Sequence, residues 1–98
     1  MARFDVYTRL ATGLFVDVQA DRFQYLRRLL LVPLLPVETG PPPIRDINPE
    51  FVLNGRSYLF MAQYIAAVPR TDFHDPVDNL DRYWDEITRA LDTLLTGL

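Results

Sequence analysis

The run Leu29-Leu30-Leu31-Val32-Pro33-Leu34-Leu35 is the longest apolar stretch in the chain. It is far short of the roughly 20 residues that a membrane-spanning helix needs. Its side chains are apolar on both faces. Residues Arg28 to Leu34 therefore predict a central strand. Pro33 has no N–H to donate, so pairing is expected to stop there. The chain has 98 residues and shows no internal repeat, which predicts one domain over residues 1–98. A chain of this size buries about 60–65% of its unfolded surface, a thin core that pairing with a second copy would help.

The flanking segments read as partners for that strand. Phe4, Val6 and Thr8 alternate with Arg3, Asp5 and Tyr7, and Arg9 to Gly13 follows as a loop. Leu14, Val16 and Val18 then form an apolar face, with Phe15, Asp17 and Gln19 opposite. This pattern predicts a hairpin with one buried side, and makes Asp17 a half-exposed or hydrogen-bonded strand residue. Ala20 to Leu26 is a connection without a period. Pro36 to Pro49 is irregular, and Gly40-Pro41-Pro42-Pro43 reads as a stiff connection or as a ligand for a proline-binding groove. Asn54-Gly55 suits a type I′ turn between Phe51-Val52-Leu53 and a strand over Arg56 to Ile65. In that second strand Tyr58, Phe60, Ala62 and Tyr64 face one way, and Leu59, Met61 and Ile65 the other.

The last element predicts a helix. Asp75 is its expected N-cap and Pro76 its first residue, where the missing N–H costs nothing. Val77, Leu80, Trp84, Ile87, Leu91, Leu94 and Leu98 form a stripe at spacings of three and four, widened by Tyr83, Ala90 and Leu95. Trp84 is expected to anchor the core, and Asp78–Arg82 and Asp85–Arg89 to pair along the helix. Gly97 is placed as a C′ residue. About 20 residues at 1.5 Å each would span roughly 30 Å.

Composition narrows the chemistry. There is no Cys and one His, which excludes disulfides, thiolate metal sites, a Cys nucleophile and any two-His metal site. All ten basic residues are Arg, against thirteen acids, for a net charge of −3. Eight Arg and six acids lie in residues 1–70, and two Arg and seven acids in residues 71–98. Neither part has the dense basic patch that direct nucleic-acid binding needs. Met1-Ala2-Arg3-Phe4-Asp5 leads into no apolar stretch of the signal-peptide kind, so a cytoplasmic chain is expected. No Ser or Thr has a nucleophile-elbow context and no glycine-rich phosphate loop is present. His74, within Asp72-Phe73-His74-Asp75, reads as a general base held by a carboxylate or as a surface His beside a helix cap. Asp72, Asp75, Asp78 and Asp81 read as hard-cation ligands or as a solvated helix start. The segment Leu94-Leu95-Thr96-Gly97-Leu98 stays apolar beyond what the helix stripe requires. In a homodimer two such segments would form an exposed apolar patch, the usual mark of a binding site.

Several strings resemble the CcdB family. They are Phe4-Asp5-Val6-Tyr7-Thr8, Leu14-Phe15-Val16-Asp17-Val18-Gln19, Asp21, Arg28, Val32-Pro33-Leu34, Ala67-Val68-Pro69 and the final helix with its Gly97-Leu98 ending. The resemblance implies a mainly β fold: an SH3-like barrel of the CcdB/MazF type, with antiparallel sheets, one C-terminal α-helix and a two-fold homodimer. It implies a toxin of a type II toxin–antitoxin module that binds the DNA gyrase A subunit, traps the cleaved-DNA complex, and is neutralised by a CcdA-like antitoxin. Such a protein is no enzyme and uses no cofactor and no metal. The implied gyrase surface is Arg22, Phe23, Asp92, Leu95, Thr96, Gly97 and Leu98. The implied antitoxin surface is Thr8, Arg9 and Leu10. Two departures matter: Arg22 stands where an apolar residue is common, and Thr96 where the best-known members carry a Trp that stacks on a gyrase arginine. They leave two alternatives: an interaction protein that binds antitoxin without poisoning gyrase, and a MazF-like endoribonuclease using Arg27, Arg28 and Thr8.

Overall fold

Seven strands and one helix follow one another in a computed structural model that describes residues 2–9 and 13–97. The strands are β1 (Asp5–Arg9), β2 (Gly13–Asp17), β3 (Arg28–Pro36), β4 (Glu50–Leu53), β5 (Arg56–Phe60), β6 (Ala66–Pro69) and β7 (Asp78–Asn79), and the helix is α1 (Trp84–Thr96). They form one antiparallel, nearly closed sheet in the order β4-β5-β3-β2-β1-β7, with β6 also paired to β3. The fold is mainly β with a single C-terminal helix, as expected.

β3 is central. It pairs with β2 along one edge and is shared along the other, by β6 over its first half and by β5 over its second. Contrary to expectation, pairing runs through Pro33 to Pro36. Pro33 falls where β3 changes partner, and its carbonyl accepts the Met61 amide at 3.0 Å. A strand residue directs its N and O to the same side, so the missing N–H faces this changeover, where no ladder bond is lost.

The sheet is covered on both faces around β1, β2 and β3, which corrects the one-sided hairpin, whereas β4 buries one face only. Val6, Val16, Val32, Leu34, Phe51 and Phe60 pack under Leu80, Ile87 and Ala90. On the opposite face Tyr7, Leu29 and Leu31 pack with Phe73, which meets the Tyr7 and Phe15 rings edge-on at 5.9 and 6.0 Å. Asp17 is therefore fully buried rather than half-exposed, and is the hydrogen-bonded strand residue of the other reading.

The Asn54-Gly55 turn forms as expected, with φ of 51° and 77°. The strand after it ends at Phe60. A 3₁₀ turn at Ala62–Tyr64 redirects the chain so that β6 reaches the other half of β3. The proline-rich connection over 37–49 is irregular as predicted. Asn48 ties it down, its amide donating to the Phe60 carbonyl at 3.1 Å and to Gln63 Oε1 at 2.7 Å, while Oδ1 accepts the Ile44 amide at 2.9 Å.

The helix begins at Trp84, well after Asp75. The edge of β1 captures residues 77–80 first: Val77 N donates to Val6 O and Leu80 N to Phe4 O, both at 2.8 Å. Asp75 therefore caps nothing: Tyr83 is the N-cap and makes no side-chain cap bond, while Asn79 forms an Asx turn before the helix, its Oδ1 accepting the Asp81 amide at 2.8 Å. Val77 and Trp84 are consequently 57% and 44% exposed, so Trp84 is no core anchor. Asp78–Arg82 pairs at 3.6 Å, but outside the helix, and among the described residues no ion pair joins Asp85 to Arg89. Gly97 caps the helix in the left-handed region, as predicted, with its N–H on Thr93 O at 2.8 Å.

Candidate functional site

A buried acid shapes the loop that follows β2. Asp17 Oδ1 accepts the Gln19 amide at 2.9 Å and Oδ2 accepts Gln24 Nε2, also at 2.9 Å. Gln24 Nε2 also reaches the Gln19 carbonyl at 3.2 Å. Gln19 spans the loop, with Oε1 accepting the Leu30 amide at 3.1 Å and Nε2 donating to the Phe23 carbonyl. Arg70 closes the far side: Nε donates to the Leu26 carbonyl at 2.9 Å and Nη1 lies 3.5 Å from Gln24 Oε1. Burial holds the Asp17 carboxyl above the ordinary aspartate range, against the opposing Gln19 and Gln24 hydrogen bonds. The Tyr7 phenol is pushed up by burial first, then by the nearby Asp5 and Asp17 carboxylates. None of Asp5, Gln19, Gln24 and Arg70 was singled out from sequence. The one legible sign was the period-two spacing of Asp17 and Gln19 on the same face.

This framework presents Arg22 and Phe23 at the surface, on a 3₁₀ turn over Asp21–Phe23. The Arg22 guanidinium lies over the Phe23 ring, 4.8 Å from its centre. The other implied gyrase contacts lie on the last turns of α1. Leu95 is 80% exposed and Asp92, Thr96 and Gly97 are exposed beside it. The Thr96 hydroxyl donates back to the Asp92 carbonyl at 2.6 Å, a local bond within the helix. Asp92 and Thr96 line a shallow polar groove with Asp85, Thr88, Arg89 and Thr93, which holds neither Arg22 nor Phe23. Leu98, at the end of this set, lies outside the described residues.

The implied antitoxin pair Thr8 and Arg9 lines a small pocket with Asp72 and His74, where Arg9 Nη2 meets Asp72 Oδ2 at 3.1 Å. Leu10, the third member, lies outside the described residues. Thr8 also borders an apolar groove with Leu14, Leu34 and Tyr58. Arg27 and Arg28 lie elsewhere, in a groove with Tyr25, Leu26, Pro69, Arg70 and Thr71. The trio Arg27, Arg28 and Thr8 therefore does not share one groove. Asp72, Asp75, Asp78 and Asp81 form no hard-cation cluster, and among the described residues no group of three acidic or histidine side chains is placed to hold a metal ion. Among the same residues no helix is long and apolar enough to cross a membrane.

Residues 3–97 match the family model described as CcdB protein. The fold is also similar to a solved endoribonuclease in complex with its cognate antitoxin from mycobacterial species. That likeness has a TM-score of 0.78 and 18% identity, and covers 100% of this chain and 96% of the other. No curated protein matches the sequence.

Proposed function

Because the chain belongs to the CcdB family, whose barrel and C-terminal helix it shares, we propose that it is the toxin of a type II toxin–antitoxin module directed at DNA gyrase. Two copies related by a two-fold axis present their helix ends to the gyrase A subunit. Binding favours the state in which gyrase has cleaved its DNA, and so holds the enzyme there without making or breaking a bond itself. The observation that carries this reading is the end of α1. A helix closed by a left-handed glycine holds Leu95 almost fully in solvent beside Thr96 and Gly97. An apolar side chain kept exposed on an ordered element is suited to a partner's pocket. A CcdA-like antitoxin is proposed to bind at Thr8, Arg9 and Leu10.

The test is a cleavage assay. Purified protein is mixed with relaxed plasmid, ATP and the gyrase of its own organism, and complexes are trapped with detergent and protease. Linear DNA that increases with dose is expected. A chain lacking Gly97 and Leu98, still folded by circular dichroism, should give none. Fully supercoiled plasmid at high dose of the intact chain would overturn the gyrase reading. It would leave a family member that binds antitoxin alone.

A second reading rests on the pocket that joins Thr8, Arg9, Asp72 and His74. Hydroxyl, guanidinium and imidazole groups are the kind that RNA cleavage uses, and the structural neighbour is an endoribonuclease. Here the Arg9 charge is met by Asp72 at 3.1 Å, which weakens the pocket's pull on a phosphate. Discrete fragments from a long single-stranded RNA, lost on His74→Ala, would favour this reading over gyrase binding.

A further inference from the structure

Residues 22–28, Arg-Phe-Gln-Tyr-Leu-Arg-Arg, contain three Arg and no acid in a chain whose net charge is −3. The adjoining acid in sequence, Asp21, is occupied by the Arg3 amide at 2.8 Å, and the buried Asp17 by Gln24 and the Gln19 amide. Among the described residues no carboxylate pairs with Arg27 or Arg28. The same segment exposes large apolar side chains: Tyr25 is 79% exposed and Leu26 42%. Arg27, Arg28, Tyr25 and Leu26 border a groove of about 530 Å³, completed by Pro69, Arg70 and Thr71.

This segment is also held in place from within. Gln24 turns inward to Asp17, Arg70 Nε holds the Leu26 carbonyl, and the Arg70 amide donates to the Arg27 carbonyl at 2.9 Å. Burying a carboxyl group to anchor a loop costs stability. The result is an ordered surface on which a partner loses little freedom when it binds.

We propose that this groove docks an acidic segment of another protein. The segment lies extended, with carboxylates against Arg27 and Arg28 and one apolar side chain between Tyr25, Leu26 and Pro69. Guanidinium groups bind carboxylates in two-pronged fashion, and Tyr25 supplies contact area at little cost in side-chain freedom. A nucleic acid fits less well. It needs basic residues spaced along several phosphates, whereas the uncompensated charge here is confined to one short groove with apolar walls on an acidic molecule. The groove follows Arg22 and Phe23 of the implied gyrase surface directly in the chain but is lined by neither, shares no residue with Thr8, Arg9 and Leu10, and is tested with neither gyrase nor RNA.

The experiment titrates the isotope-labelled full chain with a capped twelve-residue peptide of Glu, Asp, Leu and Phe. Controls are the same peptide with Gln and Asn for the acids, and a twelve-nucleotide oligothymidine. Amide shifts are expected across residues 22–28 and at Arg70 and Thr71 with the acidic peptide, and not with its neutral twin. Arg27→Glu and Arg28→Glu should each weaken binding at least about tenfold, because each sets like charges together. Both positions are exposed, and an unchanged melting temperature would confirm that the variants fold. Tyr25→Ala gives a second route to the same loss without any charge change. Shifts confined to other surfaces, equal binding of the neutral peptide, or no response to the Arg reversals would overturn the proposal. Tighter binding of oligothymidine would reassign the groove to nucleic acid. A change in sedimentation of the reversal variants without peptide would reassign it to contact between copies.

Discussion

Tyr83 lies flat against Phe51, with ring centres 4.4 Å apart and planes 21° from parallel, and its hydroxyl accepts the Val52 amide at 3.2 Å. Arg82 completes the contact by donating to the Val52 carbonyl at 3.2 Å. β4 is the last strand on its side of the sheet, so its outer edge has no strand to pair with. Two side chains from just before α1 supply the missing partners at Val52, a way of closing an edge that would otherwise invite another chain.

Tyr83→Ala is expected to cost about 2–4 kcal/mol, since it removes both the ring stack and the edge bond. Tyr83→Phe keeps the stack and should cost no more than about 1 kcal/mol. Urea titrations followed by fluorescence separate the two. Equal costs would show that the hydroxyl, not the ring, holds the helix start to the sheet.

Gln24→Ala removes the donor to Asp17 and the acceptor beside Arg70. Each lost bond is worth about 0.5–1.5 kcal/mol. The loss is local, so hydrogen exchange of the amides over residues 22–27 should speed up by at least about tenfold while those of β3 stay protected. Unchanged exchange would mean that Arg70 alone fixes the loop.

Acid titration should reveal Asp17. Burial raises its carboxyl above the ordinary aspartate range, so the folded chain keeps this proton at pH values where the unfolded chain has released it. The stability tied to the group is fully present below the ordinary value and is lost as pH rises through the raised one. Asp17→Asn has no such dependence. The unfolding free energy of the parent minus that of Asp17→Asn is expected to fall with rising pH across this window and to stay level above it. A difference that grows with pH would show an ionised Asp17 that stabilises the fold.

Gly55 and Gly97 offer a matched pair. Both have φ near +76°, at 77° and 75°, and a Cβ at either would meet nothing within 4 Å. Each change to Ala should therefore cost only the left-handed backbone penalty, about 1–2 kcal/mol. Only Gly97→Ala should lower plasmid linearisation by gyrase. An equal loss of linearisation from Gly55→Ala would trace the effect to stability instead.

Thr96→Trp tests the departure at the helix end. Thr96 is exposed, so the larger ring has room. An aromatic face stacked on a desolvated arginine contributes about 1–2 kcal/mol. The dose for half-maximal linearisation should fall at least about tenfold. No change would mean that the stack is not made at this position.

The local chemistry of particular residues decided what was legible in the sequence. Asn54-Gly55 needs only its own two residues to form a type I′ turn, and Gly97 only the helix before it. Arg28 to Leu34 was legible as central because no exposed strand is apolar on both faces. The helix start was not, because Asp75 and Pro76 do form a good helix signal, but the open edge of β1 competes for residues 77–80 from the far end of the chain. Nothing near Asp17 in sequence shows that Phe73 covers its face of the sheet. Of the candidate site, the apolar helix end was readable from Leu95 and Leu98. Arg22 and Phe23 came only with the family resemblance, and the Gln24–Arg70 support not at all, since it joins residues far apart in the chain.

The sharing of β3 between two strands bears on how the chain reaches its fold. β1, β2 and β3 form a meander of neighbours that can pair early. The other edge of β3 waits for residues 58–60 and 66–69. Until they arrive the longest strand of the protein carries a bare, apolar edge, the state most open to pairing with a second nascent chain. The late step is a long loop closure, which slows folding more than it costs stability. Pro41, Pro42 and Pro43 lie within that loop, each with φ already fixed. They narrow the conformations to be searched before β5 finds β3, and so shorten the time for which that edge stands open.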